Sequence, residues 1–132
     1  MSAAEAFRAA ATGRDLEAMA GLLAPEVVLH SPVTFHPFVG REAVLGLLGI
    51  VMETLEDFRY TAELAGSELQ GLVFRGRVED REIEGVDLLH VDAEGLIDEL
   101  TVMVRPLSAT LRFAERVGQG LARAGLAPGP AS

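Results

Sequence analysis

Between Phe58 and Arg105 the chain repeats one pattern: short segments in which apolar and polar side chains alternate, punctuated by glycines. Successive side chains of a β-strand point to opposite faces, so such a pattern commits each segment to one covered and one open face. The alternation predicts four strands, Phe58–Ala65, Gly71–Asp80, Glu82–Val91 and Leu96–Arg105. In the second, Leu72, Phe74 and Val78 oppose Arg75 and Arg77. In the last, Leu100, Val102 and Val104 continue the inner face, and Thr101, Met103 and Arg105 form the outer one. In the third, Ile83, Gly85, Asp87, Leu89 and Val91 share a face, and Asp87 is its only charged member. A carboxyl group in the middle of an apolar face is the exception that needs a reason.

The rest of the chain supplies layers to cover that sheet. Ser2–Ala11 is alanine-rich, with Phe7 as its anchor, and reads as a helix closed by Thr12–Gly13. Asp15 opens a second helix, Asp15–Leu23, which Pro25 ends. The β-branched run Glu26–Ser31 reads as a strand. Pro32–Gly40, with two prolines inside it and a glycine at its end, reads as a loop. Arg41–Leu55 carries Val44, Leu47, Leu48, Val51 and Leu55 at helical spacing and is the strongest helix. Gly66, Gly76 and Gly95 are turn or bulge candidates, and Asp92–Gly95 reads as a tight hairpin. Ser108 is placed to cap a final helix, Ala109–Ala124. Residues 125–132 read as a frayed tail. Helices followed by a meander make an α+β chain: one domain over 1–132, a curved antiparallel sheet wrapped as a cone around the long helix. The mouth of such a cone is a favoured ligand site.

Composition narrows the function classes. A formal net charge of −9 lacks the basic footprint that nucleic acid or an anionic membrane requires. Nine of the acids fall between Glu79 and Glu99 against one base, Arg81, and most of them suit a solvated sheet face. The sequence contains no cysteine, which excludes disulfides, Cys-based zinc sites and a cysteine nucleophile. The first residues have Glu5 and Arg8 and no continuous apolar stretch, unlike a signal peptide. The longest apolar run, Ala43–Met52, is too short to cross a bilayer. A soluble, cytoplasmic protein is expected.

Two stretches resemble a known family. His30–Val44, "HSPVTFHPFVGREAV", has a Gly-Arg-Glu helix start, and Gly85–Val102, "GVDLLHVDAEGLIDELTV", has an Asp-x-x-Gly-x-Ile hairpin. In both, the chain resembles the nuclear transport factor 2-like superfamily, nearest to its SnoaL-like polyketide cyclase and ketosteroid isomerase branches. The resemblance, over about Met1 to Arg105, implies the cystatin-like α+β roll. The isomerases carry a pattern close to Glu-Asp-Pro-x-Gly after their first strand, with that Asp as the base. Here the position is Ser31, and a serine hydroxyl does not take a proton from carbon near neutral pH without an activating partner. Their second carboxyl, a neutral hydrogen-bond donor in an apolar site, matches Asp87. Dimerisation through the open sheet is common in the superfamily.

Asp87 is thus the first catalytic candidate, as a general acid or a donor to a carbonyl or epoxide oxygen; the alternative is a carboxyl satisfied by protein donors that only fixes the core. His30, beside Ser31, is the second, although alternation turns it outward if Ser31 points inward. Ser31, Tyr60, Phe74, Leu89 and Val102 are expected to line the pocket. Phe35 and Phe38 are expected at its lip. Tyr60, the only tyrosine, is placed to bond Asp87 if it points inward with Phe58 and Ala62. His90 falls on the outer face, out of phase with Asp87. The three histidines have no metal-ligand spacing, and no phosphate loop, nucleophile elbow or dinucleotide fingerprint occurs, so no metal or cofactor is expected. Val86, Leu88 and Met103 on the outer face predict a homodimer. The expected ligand is a small apolar molecule. Two functions stay open: a cofactor-independent isomerase, cyclase or epoxide hydrolase-like enzyme, and a non-catalytic binding or dimerisation module.

Overall fold

The computed structural model describes residues 1–127. Its order is α1 (Ala3–Thr12), α2 (Leu16–Ala20), β1 (Leu23–His30), β2 (Phe38–Val39), α3 (Arg41–Thr54), β3 (Glu56–Leu64), β4 (Leu69–Val78), β5 (Arg81–Val91), β6 (Ile97–Arg105) and α4 (Leu107–Ala124). The strands form one curved, unclosed sheet in the order β2-β1-β6-β5-β4-β3. The four long strands β3 to β6 are a continuous antiparallel meander, as the alternation requires. β1 runs parallel to β6 and antiparallel to β2. The helices lie on the inner face. This is an α+β architecture.

Curvature has a local cause. The β3–β4 ladder slips between Glu56 and Arg59 and again between Tyr60 and Ala62. Each irregularity bends the strand and increases its twist. The second also resets the alternation: Tyr60 is buried, whereas Ala62, expected on the same face, is exposed.

Several element ends differ from the sequence reading. α2 stops at Ala20, and β1 begins at Leu23 and runs through Pro25. The proline is tolerated because the β1–β6 register shifts between Leu23 and Val28, where no ladder donor is needed. Within the expected loop, Phe38 and Val39 pair with Leu29 and Val28. α4 starts at Leu107, not after a Ser108 cap; Pro106 is its N-cap, and the Pro106 carbonyl accepts from Thr110 N–H and Oγ1, each at 2.9 Å. Of the expected tail, residues 128–132 lie outside the described residues. The part before them is built into the helix end: Gly125 N–H bonds Ala122 O at 3.2 Å and Leu126 N–H bonds Leu121 O at 3.0 Å. That is the Schellman arrangement, and it turns Leu126 back toward α3.

The core fills the space between the sheet and the helices, with Phe7, Met19, Leu29, Phe38, Leu72 and Leu100 almost wholly buried. α1 is secured by a capping box between Ser2 and Glu5. Its Arg8 reaches the Tyr60 carbonyl at 3.4 Å. On the inner face of β5, Gly85 lies under the ring of Phe74. A Cβ there would stand 2.3 Å from Phe74 Cζ and 2.7 Å from the Met103 carbonyl oxygen. The missing side chain is what lets the ring cross the strand. Among the described residues, no helix is long and apolar enough to cross a membrane.

Gly85→Ala is expected to push Phe74 aside and lower stability by about 1–3 kcal/mol, the usual range for overpacking a filled core. A shift of the urea midpoint at constant slope measures it. An unchanged midpoint would mean that the ring relocates freely.

Candidate functional site

The inner face of the sheet and all four helices enclose a cavity of about 60 Å³. That is room for a few waters or a small ligand group, since one water occupies roughly 10–15 Å³ on this measure. The side chains lining it are apolar except for Asp87, Tyr60 and Ser31.

Asp87 reaches the cavity through strand register. It pairs with Leu72 on β4 and Val102 on β6, in the middle of the sheet, and is only 7% exposed. Tyr60 comes from β3, two strands away, just before the slip that turns Ala62 outward. Its ring is fixed by Phe58, edge-on at 4.9 Å between centroids, and by Phe74, edge-on at 6.4 Å. The Tyr60 hydroxyl donates to Asp87 Oδ2 at 3.3 Å. This is long for an O–H···O bond, which usually falls near 2.7–2.8 Å. The contact therefore leaves carboxyl capacity free toward the cavity. Ser31 directly follows β1, and its Oγ accepts from Val33 N–H at 3.2 Å. Its own proton remains available to an acceptor.

Electrostatics follow from burial. Desolvation raises the Asp87 pKa from its usual value near 3.8 to about 7, with the Tyr60 hydrogen bond opposing the shift. Burial, the neighbouring Asp87 charge and the bond to Asp87 raise the Tyr60 pKa, so the phenol keeps its proton and remains the donor. Near neutral pH, Asp87 populates both forms. In its neutral form it can donate a hydrogen bond, or a proton, to a ligand oxygen.

The other sequence candidates divide. Ser31, Tyr60, Phe74 and Val102 line the cavity with Asp87. His30 does not: Leu29 and Ser31 on either side face inward, so alternation turns it outward, with Nε2 2.9 Å from Glu99 Oε2. Phe35 is 93% exposed at the tip of its loop, edge-on to His36, because the β2 pairing draws Phe38 rather than Phe35 into the protein. Phe38 is buried in the core opposite Leu29, and does not itself line the cavity. Leu89 lies one inward position beyond Asp87, opposite Gln70 and Leu100. There the start of α1 covers the sheet, with Ala4 N–H bonded to Gln70 Oε1 at 2.8 Å, and Leu89 is wholly buried without lining the cavity.

Sequence reasoning missed the helical side of the cavity: Met19, Met52, Phe113 and Val117 are among its walls. Helical periodicity marks such residues as inward, without telling a cavity wall from packed core. Outside, His90 Nδ1 is 2.6 Å from Asp98 Oδ1, and that bond, with the nearby acids, raises the His90 pKa. Arg75 and Arg105 both reach Glu84, at 3.0 and 3.2 Å. Among the described residues no group of three His, Cys, Asp or Glu side chains is placed to hold a metal.

Asp87 makes stability depend on pH. The unfolded chain keeps this proton only up to about pH 3.8, the folded chain up to about pH 7. The folded state therefore holds more protons between these values. The stability tied to the neutral acid is complete below the lower value and is lost as pH rises through the upper one. Asp87→Asn removes this titration, so its melting temperature relative to the wild type should climb between pH 5 and pH 8. A difference that stays flat across that range would show an ordinary carboxylate.

Comparison with known proteins agrees with this fold. Residues 4–100 match the family model of the SnoaL-like domain. A steroid delta-isomerase from Pseudomonas aeruginosa is 33% identical, with a TM-score of 0.87 over 92% of this chain and 90% of that one. A bacterial protein with a cystatin-like fold from Silicibacter pomeroyi DSS-3 is 23% identical, with a TM-score of 0.89 over 93% and 87%. A nuclear transport factor 2-like protein from Mesorhizobium loti is 20% identical, with a TM-score of 0.70 over 79% and 88%. No curated protein matches the chain. With most of α1, all of α2 and α3, and β1 to β5 inside the matched residues, the chain belongs to the SnoaL-like domain family, within the nuclear transport factor 2-like superfamily.

Proposed function

We propose that the cone binds a small apolar compound bearing a carbonyl or epoxide oxygen, and that neutral Asp87 donates to that oxygen in an isomerase- or cyclase-type reaction without a cofactor. The observation that carries this reading is a single carboxyl, with a pKa of about 7, facing a cavity whose other walls are apolar apart from the Tyr60 and Ser31 hydroxyls. In these reactions negative charge collects on one oxygen. A pre-placed donor in a site poor in water stabilises that charge strongly. Tyr60 holds the carboxyl in position, and the Ser31 hydroxyl is a second donor facing the same space. The likeness to a steroid delta-isomerase supports the reaction class.

A second reading, a binding module without chemistry, is favoured by one specific observation. Ser31 stands where the resembled isomerases carry their base, and among the described residues no second carboxyl lines the cavity. Turnover of small unsaturated cyclic ketones, followed by ultraviolet absorbance, separates the two. As an enzyme, the protein should lose kcat/KM above about pH 7 as Asp87 ionises, and Asp87→Asn should lose about 10²–10⁴-fold. Full activity in Asp87→Asn would remove Asp87 from the mechanism. Saturable binding with no turnover at any pH would favour the module.

We also propose that the open face of the sheet pairs two copies of the chain. Val73, Val86 and Leu88 are part-exposed there, and Met103 is 49% exposed, between the Arg75–Glu84–Arg105 cluster and the His90–Asp98 pair. An apolar centre with a charged rim is the usual anatomy of a protein interface. Met103→Asp should weaken the dimer by about tenfold or more, since it places a charge in that centre. Sedimentation velocity at micromolar concentration reads this; a monomeric wild type would dismiss the proposal.

A further inference from the structure

The residues matched by the family model end at 100, yet α4, which begins at Leu107, contributes to the cavity. Its buried positions, Ala109, Phe113, Val117 and Leu121, recur every four residues and form a single inward stripe. Phe113 and Val117, 3% and 1% exposed, both reach the space that holds Asp87 and Tyr60.

α4 is held along its length. Arg112 and Arg116 meet the two oxygens of Glu79, in the turn between β4 and β5, at 3.4 and 3.6 Å. Farther along, Gly120 lies against α3 so closely that a Cβ would stand 2.7 Å from Ile50 Cγ2. Past the helix end, Leu126 sits over Gly46 of α3, where a Cβ would be 2.7 Å from Leu126 Cδ1. These contacts make α4 a fixed wall and not a loose flap.

We infer that Phe113 and Val117 set the size limit of the cone, admitting ligands of about one ring and excluding fused-ring compounds. The inference rests on the reading of the cone as a ligand site and adds to it the size class of the ligand. The cavity is about 60 Å³. A dry apolar cavity of roughly 150 Å³ takes up benzene. A single ring therefore enters only if the wall gives. Met19 and Met52 are the side chains that give most readily, because methionine is unbranched and flexible. A second fused ring would need the volume held by Phe113. Removing that ring opens a benzene-sized space continuous with Asp87.

The test uses the full chain and two pairs of probes. Toluene and naphthalene differ in size and carry no polar group, so their affinity ratio reads the wall alone. Cyclohex-2-enone against toluene reads the Asp87 donor at nearly constant size. By ligand-observed NMR, the wild type should bind toluene and not naphthalene. Phe113→Ala should bind naphthalene at least tenfold more tightly than the wild type does, with a smaller change for toluene. If circular dichroism shows that Phe113→Ala does not fold, Phe113→Leu and Val117→Ala should shift the same ratio by a few-fold. Wild-type binding of naphthalene as tight as toluene, an unchanged ratio in the folded variants, or no toluene binding to any of them overturns the size limit. Failure of the Asp87 reading looks different: cyclohexenone would gain nothing over toluene, and Asp87→Leu would change neither, while the hydrocarbon ratio still moved with Phe113.

Discussion

Removing a carboxyl group from water costs several kcal/mol unless its charge is paired or its proton retained. Asp87 lies in such a place, and among the described residues no cationic side chain lines its cavity. Its charge is left unpaired, so the proton is retained up to near neutral pH. The surrounding structure serves this condition. The slip in β3 aims Tyr60 inward while releasing the rest of the strand to solvent. The Phe74 ring, laid across Gly85, screens the floor beside the acid. The numerous other acids of β5, its turns and β6 sit outside, where water and arginines meet them.

The chain shares its fold and a third of its residues with a steroid delta-isomerase, but its site is organised around one carboxyl. A proton-transfer enzyme commonly needs a group that takes and a group that gives, at different ends of the reacting unit. In the proposed reaction Asp87 would be the giving side, with the Tyr60 and Ser31 hydroxyls lining the same cavity. The fold itself is neutral on the question, because function resides in the site and not in the scaffold.

How much of this was legible in the sequence follows from the range of each interaction. Alternation over Phe58–Arg105 located the long strands within about two residues and put Asp87, Phe74 and Val102 on the inner face. It also turned His90 outward and gave the condition under which His30 would follow. Pro25 was misread as a stop, because only the β1–β6 register reveals that its missing N–H is not needed there. The parallel union of β1 with β6 joins segments some seventy residues apart and leaves no local trace. Phe35 and Phe38 are equivalent as loop aromatics, and only the short β2 pairing decides which is buried. The helical walls of the cavity were legible as apolar stripes, but empty space is not a property of any one residue.

Phe74 and Gly85 together also bear on how this sequence can vary. The two occupy one volume from adjacent strands: the ring fits because the neighbour has no side chain. A side chain gained at Gly85 would meet both that ring and the Met103 carbonyl oxygen, so a smaller residue in place of Phe74 does not by itself make room for one in place of Gly85. A drifting lineage therefore finds no reversed arrangement to cross to: a smaller residue in place of Phe74 leaves a hollow and a larger one in place of Gly85 is crowded. The floor under Asp87 is thus insulated from gradual change, while the helical walls, where each side chain fills its own space, are free to be resized one residue at a time.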